Sequence, residues 1–236
     1  MKKNLLKSIV LGCLSLLIIG CTPPNSQNEN NEASKTAEAK GPYVKKYTNK
    51  DFYKDGKLQK DIVLKAYEEM LACYDVELSD FMRKNLWITD FELGDFENVG
   101  MAGFFWVNDA ENNYFAHEIY LLPGQMITEH RHEKTKFAPK MESWVVKQGW
   151  IYNYSMGEET PNGPKLPDCQ KGYITAKNYV IQKPDEIIHL NKLEASHFMM
   201  AGPDGAIVYE FASYHDMDGL KFTNPKAVFT DILTQD

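Results

Sequence analysis

Two histidines one residue apart, His130 and His132, close the segment Pro123-Gly124-Gln-Met-Ile-Thr-Glu-His130-Arg-His132. Alternate residues of a strand face the same way, so a strand here brings both imidazoles to one ion. Glu142, in Lys140-Met141-Glu142, falls on the next strand after a connecting loop and can add a carboxylate oxygen. A fourth donor must come from far along the chain, and His197 lies on a later predicted strand. Three imidazoles and one carboxylate leave two positions of an octahedral shell open, which suits a borderline divalent metal and a bidentate ligand. His-x-His alone is equally compatible with histidines satisfied inside a core. His117, His189 and His215 have no such spacing and are read as structural.

The elements that hold these residues belong to a chain of 236 residues, 43% hydrophobic and 25% charged, a globular composition that excludes a disordered tail or a disulfide miniprotein. The formal charge of −7 comes without a long Lys/Arg cluster, so nucleic acid is not an expected partner. Residues 1–20 read as a secretory leader: Lys2, Lys3 and Lys7 precede the short apolar run Ile9–Ile19. That run is too short to span a bilayer. It ends Ile18-Ile19-Gly20-Cys21, which resembles the bacterial lipobox cleaved before a lipidated cysteine. The expectation is an exported lipoprotein anchored through Cys21, with Thr22 favouring the outer membrane where the cell has one. From Thr22 to about Tyr43 the chain reads as a flexible linker, rich in Asn, Glu and Ala, with folding beginning near Asn49.

Val63, Tyr67, Met70 and Tyr74 recur at helical spacing within Lys60–Asp75, a stripe for core packing or a dimer contact, and a homodimer is expected. Ser79-Asp80 starts a shorter helical turn. Beyond Leu86 the pattern turns to short strands: 103–107, 114–122, 143–146, 150–154, 173–181, 186–190, 197–200 and 206–213. Such spacing predicts an antiparallel barrel or jelly roll over 101–236, with residues 44–100 as a helical N-terminal extension. Cys73 and Cys169 can pair in an exported chain, although Cys73 reads better as a small buried hydrophobe.

Gly124-x5-His130-x-His132-x9-Glu142-x6-Gly149 resembles the first cupin motif with a lengthened gap before the glutamate. The second motif is poorer, because Glu194 stands where a glycine is expected before His197. The stretch Trp87-Ile-Thr-Asp-Phe91-Glu-Leu-Gly94-Asp, the Leu122-Pro-Gly-Gln125 turn and Lys140-Met-Glu142 are similar to the D-lyxose isomerase family of cupins. So is the tail with Glu210-Phe-Ala-Ser, Asp216, Asp218 and Phe222-Thr-Asn-Pro225, giving a likeness over about residues 60–230. This resemblance implies an all-β cupin and an aldose–ketose isomerase for D-lyxose and D-xylulose, and for D-mannose and D-fructose. It implies Mn2+, with Zn2+, Co2+ or Fe2+ as alternatives, on His130, His132, Glu142 and His197. Lys140 and Glu210 would face the sugar, with Asp218 nearby. The chain departs from the pattern at Asn224, where an acid is expected, and at His117, where a lysine is expected.

Moving a carbonyl between adjacent carbons needs a base for the C2 proton. Glu210, in the hydrophobic strand Ile207-Val208-Tyr209-Glu210-Phe211, is the best candidate, since an unpaired carboxylate there costs several kcal/mol. A structural ion pair is the competing explanation. Lys140 can stabilise developing negative charge, whereas Lys134 and Lys136 read as a solvated loop. Trp144, Trp150 and Tyr152 can wall the sugar or simply pack the core. Two other classes fit the same ligands: an iron-dependent cupin dioxygenase and a non-catalytic carbohydrate-binding lipoprotein. Ketose formation from an aldose distinguishes isomerase from both.

Overall fold

The computed structural model describes residues 42–234; the leader, Cys21 and the linker as far as residue 41 lie outside them. The chain opens with α1 (Asn49–Phe52), β1 (Tyr53–Lys54), β2 (Lys57–Leu58), α2 (Lys60–Cys73) and α3 (Asp80–Asn85). Then come β3 (Trp87–Thr89), β4 (Met101–Asp109), β5 (Tyr114–Leu121), β6 (His130–His132) and β7 (Glu142–Ser155). β8 (Asn178–Gln182), β9 (Ile187–His189), β10 (Phe198–Ala212) and β11 (Leu220–Phe222) complete the order. One antiparallel sheet runs β3-β4-β5-β10-β7-β8, with β9 also on β7, and β6 pairs with β11. The long strand β10 joins the two layers. Its start lies beside the segment leading into β6, with Ala201 N donating to Gln125 O at 2.9 Å and Ile127 N to Met199 O at 3.0 Å. The result is the expected cupin jelly roll.

α2 forms because Val63, Ala66, Tyr67, Met70 and Leu71 share one face, and all five are buried. They pack against Ala102, Phe104, Tyr120 and Ile207 on the outer face of the sheet, so the helical stripe is core packing within the chain. α3 starts where Ser79 Oγ accepts from Met82 N at 3.3 Å. Tyr43 is 4% exposed and belongs to this same core, so the fold begins ahead of the expected Asn49. A single aromatic at the end of a polar run carries no periodicity to reveal this. No helix among the described residues is long and apolar enough to cross a membrane.

The extension is tied directly to the turn that feeds the histidines. Tyr67 OH donates to Gln125 Oε1 at 2.7 Å, and Gln125 Nε2 donates to Phe96 O at 2.6 Å. Tyr67→Phe removes one buried hydrogen bond and keeps the ring. We expect a loss of about 1 kcal/mol in a urea titration, with Leu122 N still holding Gln125 Oε1.

Two pairs of expected strands are single long strands. Residues 143–154 continue through Gly149 in β7, and 198–212 continue through Gly205 in β10, each bent at a register shift. Both glycines have positive φ, +68° and +79°. A Cβ on Gly149 would lie 2.0 Å from Gly205 O, so only glycine fits. The expected strand over 173–181 shortens to β8, because Glu129 captures the amides of Thr175 and Ala176, both at 2.7 Å. β3, before residue 101, already pairs with β4. Cys73 and Cys169 are free rather than bridged; Cys73 packs against the helical core, and Cys169 donates to Asp95 Oδ2 at 3.6 Å. Burial raises the Cys169 thiol pKa to about 12, which keeps it unreactive.

Candidate active site

Strand register builds one wall of the barrel interior. His117 on β5 pairs with Glu210 on β10, which pairs in turn with Trp144 on β7. These residues share their parity with buried Ile119, Val208 and Val146, so the whole row faces inward. Glu142, two residues before Trp144, faces the same way. Lys140 precedes β7 and is fixed through Met141, which exchanges hydrogen bonds with Ser213: Met141 N to Ser213 Oγ at 2.8 Å and Ser213 N to Met141 O at 3.0 Å.

The result is a continuous buried network. Lys140 Nζ donates to Glu210 Oε1 and lies 3.1 Å from Glu142 Oε1, with the Phe115 ring centroid 4.2 Å away. His117 Nδ1 is 3.3 Å from Glu210 Oε2. Burial alone would lower the Lys140 pKa, but the Glu210 and Glu142 carboxylates outweigh it and hold it above the usual lysine range. Lys140 is therefore an ammonium at neutral pH. His117, pushed below the usual histidine range by burial, is neutral.

The opposite wall carries the histidines. His130 and His132 alternate along β6, and the His130 and His197 backbones exchange hydrogen bonds of 3.1 and 2.9 Å. With Glu142 these side chains offer donor atoms that all lie within 4.8 Å of one another. Glu142 Oε2 is 3.0 Å from His197 Nε2, and Glu142 Oε1 is 3.2 Å from His132 Nε2. Yet His132 Nε2, His197 Nε2 and Glu142 Oε2 are shielded from water with no hydrogen-bond partner. Buried lone pairs that converge without bonding one another fit a cation. His130 Nδ1 and His197 Nδ1 sit 3.0 and 2.9 Å from the carbonyls of Thr128 and Ala195, which directs each Nε2 lone pair toward the cluster. Burial holds His130 well below the usual histidine range, so it is neutral and free to ligate. For Glu142 burial is overcome by Lys140, His197 and His132, and its carboxylate stays ionised. Glu194 adopts the left-handed φ of +60° expected of the motif's glycine, and its Oε1 accepts from Lys134 N at 2.9 Å.

Both walls line one cavity. Trp144 lines it, with its ring 5.3 Å from that of His197, whereas Trp150 and Tyr152 do not. Three expectations need correction. Asp218 is exposed on the 216–219 turn and does not reach the cavity, because Asp216 accepts from Asp218 N at 3.2 Å and from Thr135 Oγ1 at 2.5 Å. His117 and His215, read as structural, both line the cavity, and the His215 ring lies 5.3 Å from that of His132. For His117 the parity with Ile119 and Leu121 was a usable signal; His215 follows the last long strand and had none. His189 is exposed, 2.8 Å from Ser143 Oγ. Asn224 is buried away from the cavity, donating to Cys169 O at 3.1 Å and accepting from Lys226 N at 3.0 Å.

A jelly roll that gathers three histidines and a glutamate opposite a buried Lys–Glu pair is a cupin with a donor set for one cation. Over 171 residues the chain is 35% identical to the D-lyxose/D-mannose isomerase of Thermosediminibacter oceani, covering 71% of this chain and 91% of that protein. It is 31% identical over 175 residues to the D-lyxose ketol-isomerase of a Thermofilum species, covering 71% and 94%. The chain belongs to the D-lyxose isomerase family of cupins. No protein-family model matches it. Among solved structures it resembles the L-ribose isomerase of Acinetobacter sp. DL28 in complex with L-ribose, with a TM-score of 0.56 at 16% identity, covering 69% of this chain and 93% of that one. The L-ribose isomerase of Cellulomonas parahominis gives a TM-score of 0.54 at 14% identity, over 69% and 93%. These structural likenesses establish the fold.

Proposed function

We propose that the protein is a divalent-metal-dependent aldose–ketose isomerase that interconverts D-lyxose with D-xylulose and D-mannose with D-fructose. The observation that carries this is the juxtaposition of the Lys140–Glu210 pair with the His130, His132, Glu142 and His197 cluster, bridged by the 3.1 Å contact from Lys140 to Glu142. A binding protein or an oxygenase has no need of such a pair beside its ion. The names of the sequence relatives support the choice of sugar.

A divalent ion held by those four residues, which we take to be Mn2+ with Zn2+, Co2+ or Fe2+ as alternatives, would supply Lewis-acid polarisation of the sugar carbonyl. Glu210 Oε1 is committed to Lys140, so Oε2, with only the 3.3 Å contact to His117, is the oxygen that takes the C2 proton and, after exchange with solvent, delivers a proton to C1. The Lys140 ammonium stabilises negative charge developing on the sugar oxygens and relays the O2 hydroxyl proton to O1, so that C2–OH becomes the carbonyl as C1=O becomes the hydroxyl. Trp144 closes one side against water. Chelator treatment followed by reloading with each ion separately tests this reading. Ketose formation from D-lyxose and D-mannose should vanish and return with Mn2+. Sugar binding with no ketose under any ion would replace the isomerase by the carbohydrate-binding reading.

We further propose that the chain is exported and anchored by a lipid on Cys21, as the lipobox-like Ile18-Ile19-Gly20-Cys21 supports. Cys21→Ala should release the protein from the membrane fraction with its specific activity retained. An unchanged membrane fraction would refute the anchor.

A further inference from the structure

We infer that Trp87 and His117 together form a subsite that recognises one hydroxyl of the sugar remote from the reacting C1–C2 end. The inference rests on the isomerase reading and names part of the substrate recognition within that site. Trp87 Nε1 and His117 Nε2 are shielded from water, have no hydrogen-bond partner and belong to residues lining the cavity. Their rings lie 5.2 Å apart. Buried polar atoms are nearly always paired, so two orphans on one wall point to a group supplied from outside.

The types of the two atoms identify that group. Glu210 is an acceptor for His117 Nδ1–H, which leaves the Nε2 of a neutral ring as an acceptor. Trp87 Nε1–H can only donate. A hydroxyl accepts from one and donates to the other, whereas an ether, carbonyl or methyl satisfies at most one. The surroundings are apolar: the Phe105 ring lies 5.7 Å from Trp87 and 5.0 Å from His117, and the Phe229 ring 5.2 Å from Trp87. Gly103, opposite Trp87 in the β3–β4 pairing, leaves room for the His117 ring, since a Cβ there would lie 2.6 Å from His117 Nε2. Occupation of the subsite also steadies His117, and through it Glu210 Oε2. His117 is thus a positioning residue as well as a recognition residue.

Two substitutions separate these roles. His117→Asn keeps an amide N–H near the Nδ1 position and loses the Nε2 acceptor; Trp87→Phe removes only the indole donor. The metal-loaded parent and both variants are assayed with D-lyxose and its 3-, 4- and 5-deoxy analogues, with metal content measured in each. We expect kcat/KM for D-lyxose to fall about 10- to 100-fold in each variant, mostly through KM for Trp87→Phe, with the ion retained. One deoxy analogue should show that deficit already in the parent and be insensitive to both substitutions, as coupled partners require. Equal losses across all the sugars would reduce Trp87 and His117 to wall residues and overturn the subsite. If His117→Asn does not fold, Trp87→Phe alone still decides. Should the parent form no ketose, the isomerase reading fails; calorimetry with D-lyxose and the deoxy sugars then judges the subsite by the same pattern in Kd.

Discussion

Glu210→Gln lowers kcat for D-lyxose by on the order of 10²- to 10⁴-fold while leaving metal content and folding unchanged, if Glu210 is the base that moves the C2 proton. The amide keeps the shape of the carboxylate and can still accept from Lys140, but it cannot take a proton. Glu210 is only 5% exposed and its carboxylate sits between one cation, Lys140, and one neutral ring, His117. Substitution also leaves the Lys140 ammonium with Glu142 as its one remaining buried counter-charge, so a modest fall in urea midpoint should accompany the rate loss. Steady-state kinetics alongside metal analysis checks this. Near-parental turnover would take Glu210 out of the mechanism.

The second large effect is loss of the ion. His130→Ala, His132→Ala, His197→Ala and Glu142→Ala should each abolish stoichiometric metal binding and ketose formation together, because each removes one donor from a set lying within 4.8 Å. His189→Ala, at an exposed position paired with Ser143, should bind as the parent does. Metal analysis after gel filtration, with far-UV circular dichroism to confirm folding, reads both outcomes. Full occupancy in His197→Ala would mean that the fourth donor is another residue.

The sequence made some of these features legible and hid others for physical reasons. His130 and His132 were visible because a strand repeats every two residues, so their spacing alone puts both on one face. Glu142 and His197 were reachable through glycine and histidine spacing, although Glu194 blurred the second motif by holding a left-handed backbone without being glycine. The jelly roll was legible as a class because short strands alternate with turns. Gly149 and Gly205 misled the strand boundaries, since a glycine bulge bends a strand while leaving it continuous. The pairing of His117 with Glu210 spans 93 residues and depends on register, which no local pattern encodes. Asp218 failed for the opposite reason. Its nearness to the tail motif in sequence says nothing about a turn that directs it to solvent.

In the proposed reaction the buried Lys140–Glu210 pair carries out proton transfer on a sugar held beside the four-donor cluster. The most direct test incubates the Mn2+-loaded protein with D-lyxose in D2O and follows the sugar by NMR. We expect D-xylulose carrying deuterium at C1, with both the ketose and the label suppressed in Glu210→Gln. Ketose that forms without deuterium and at an undiminished rate in Glu210→Gln would contradict it.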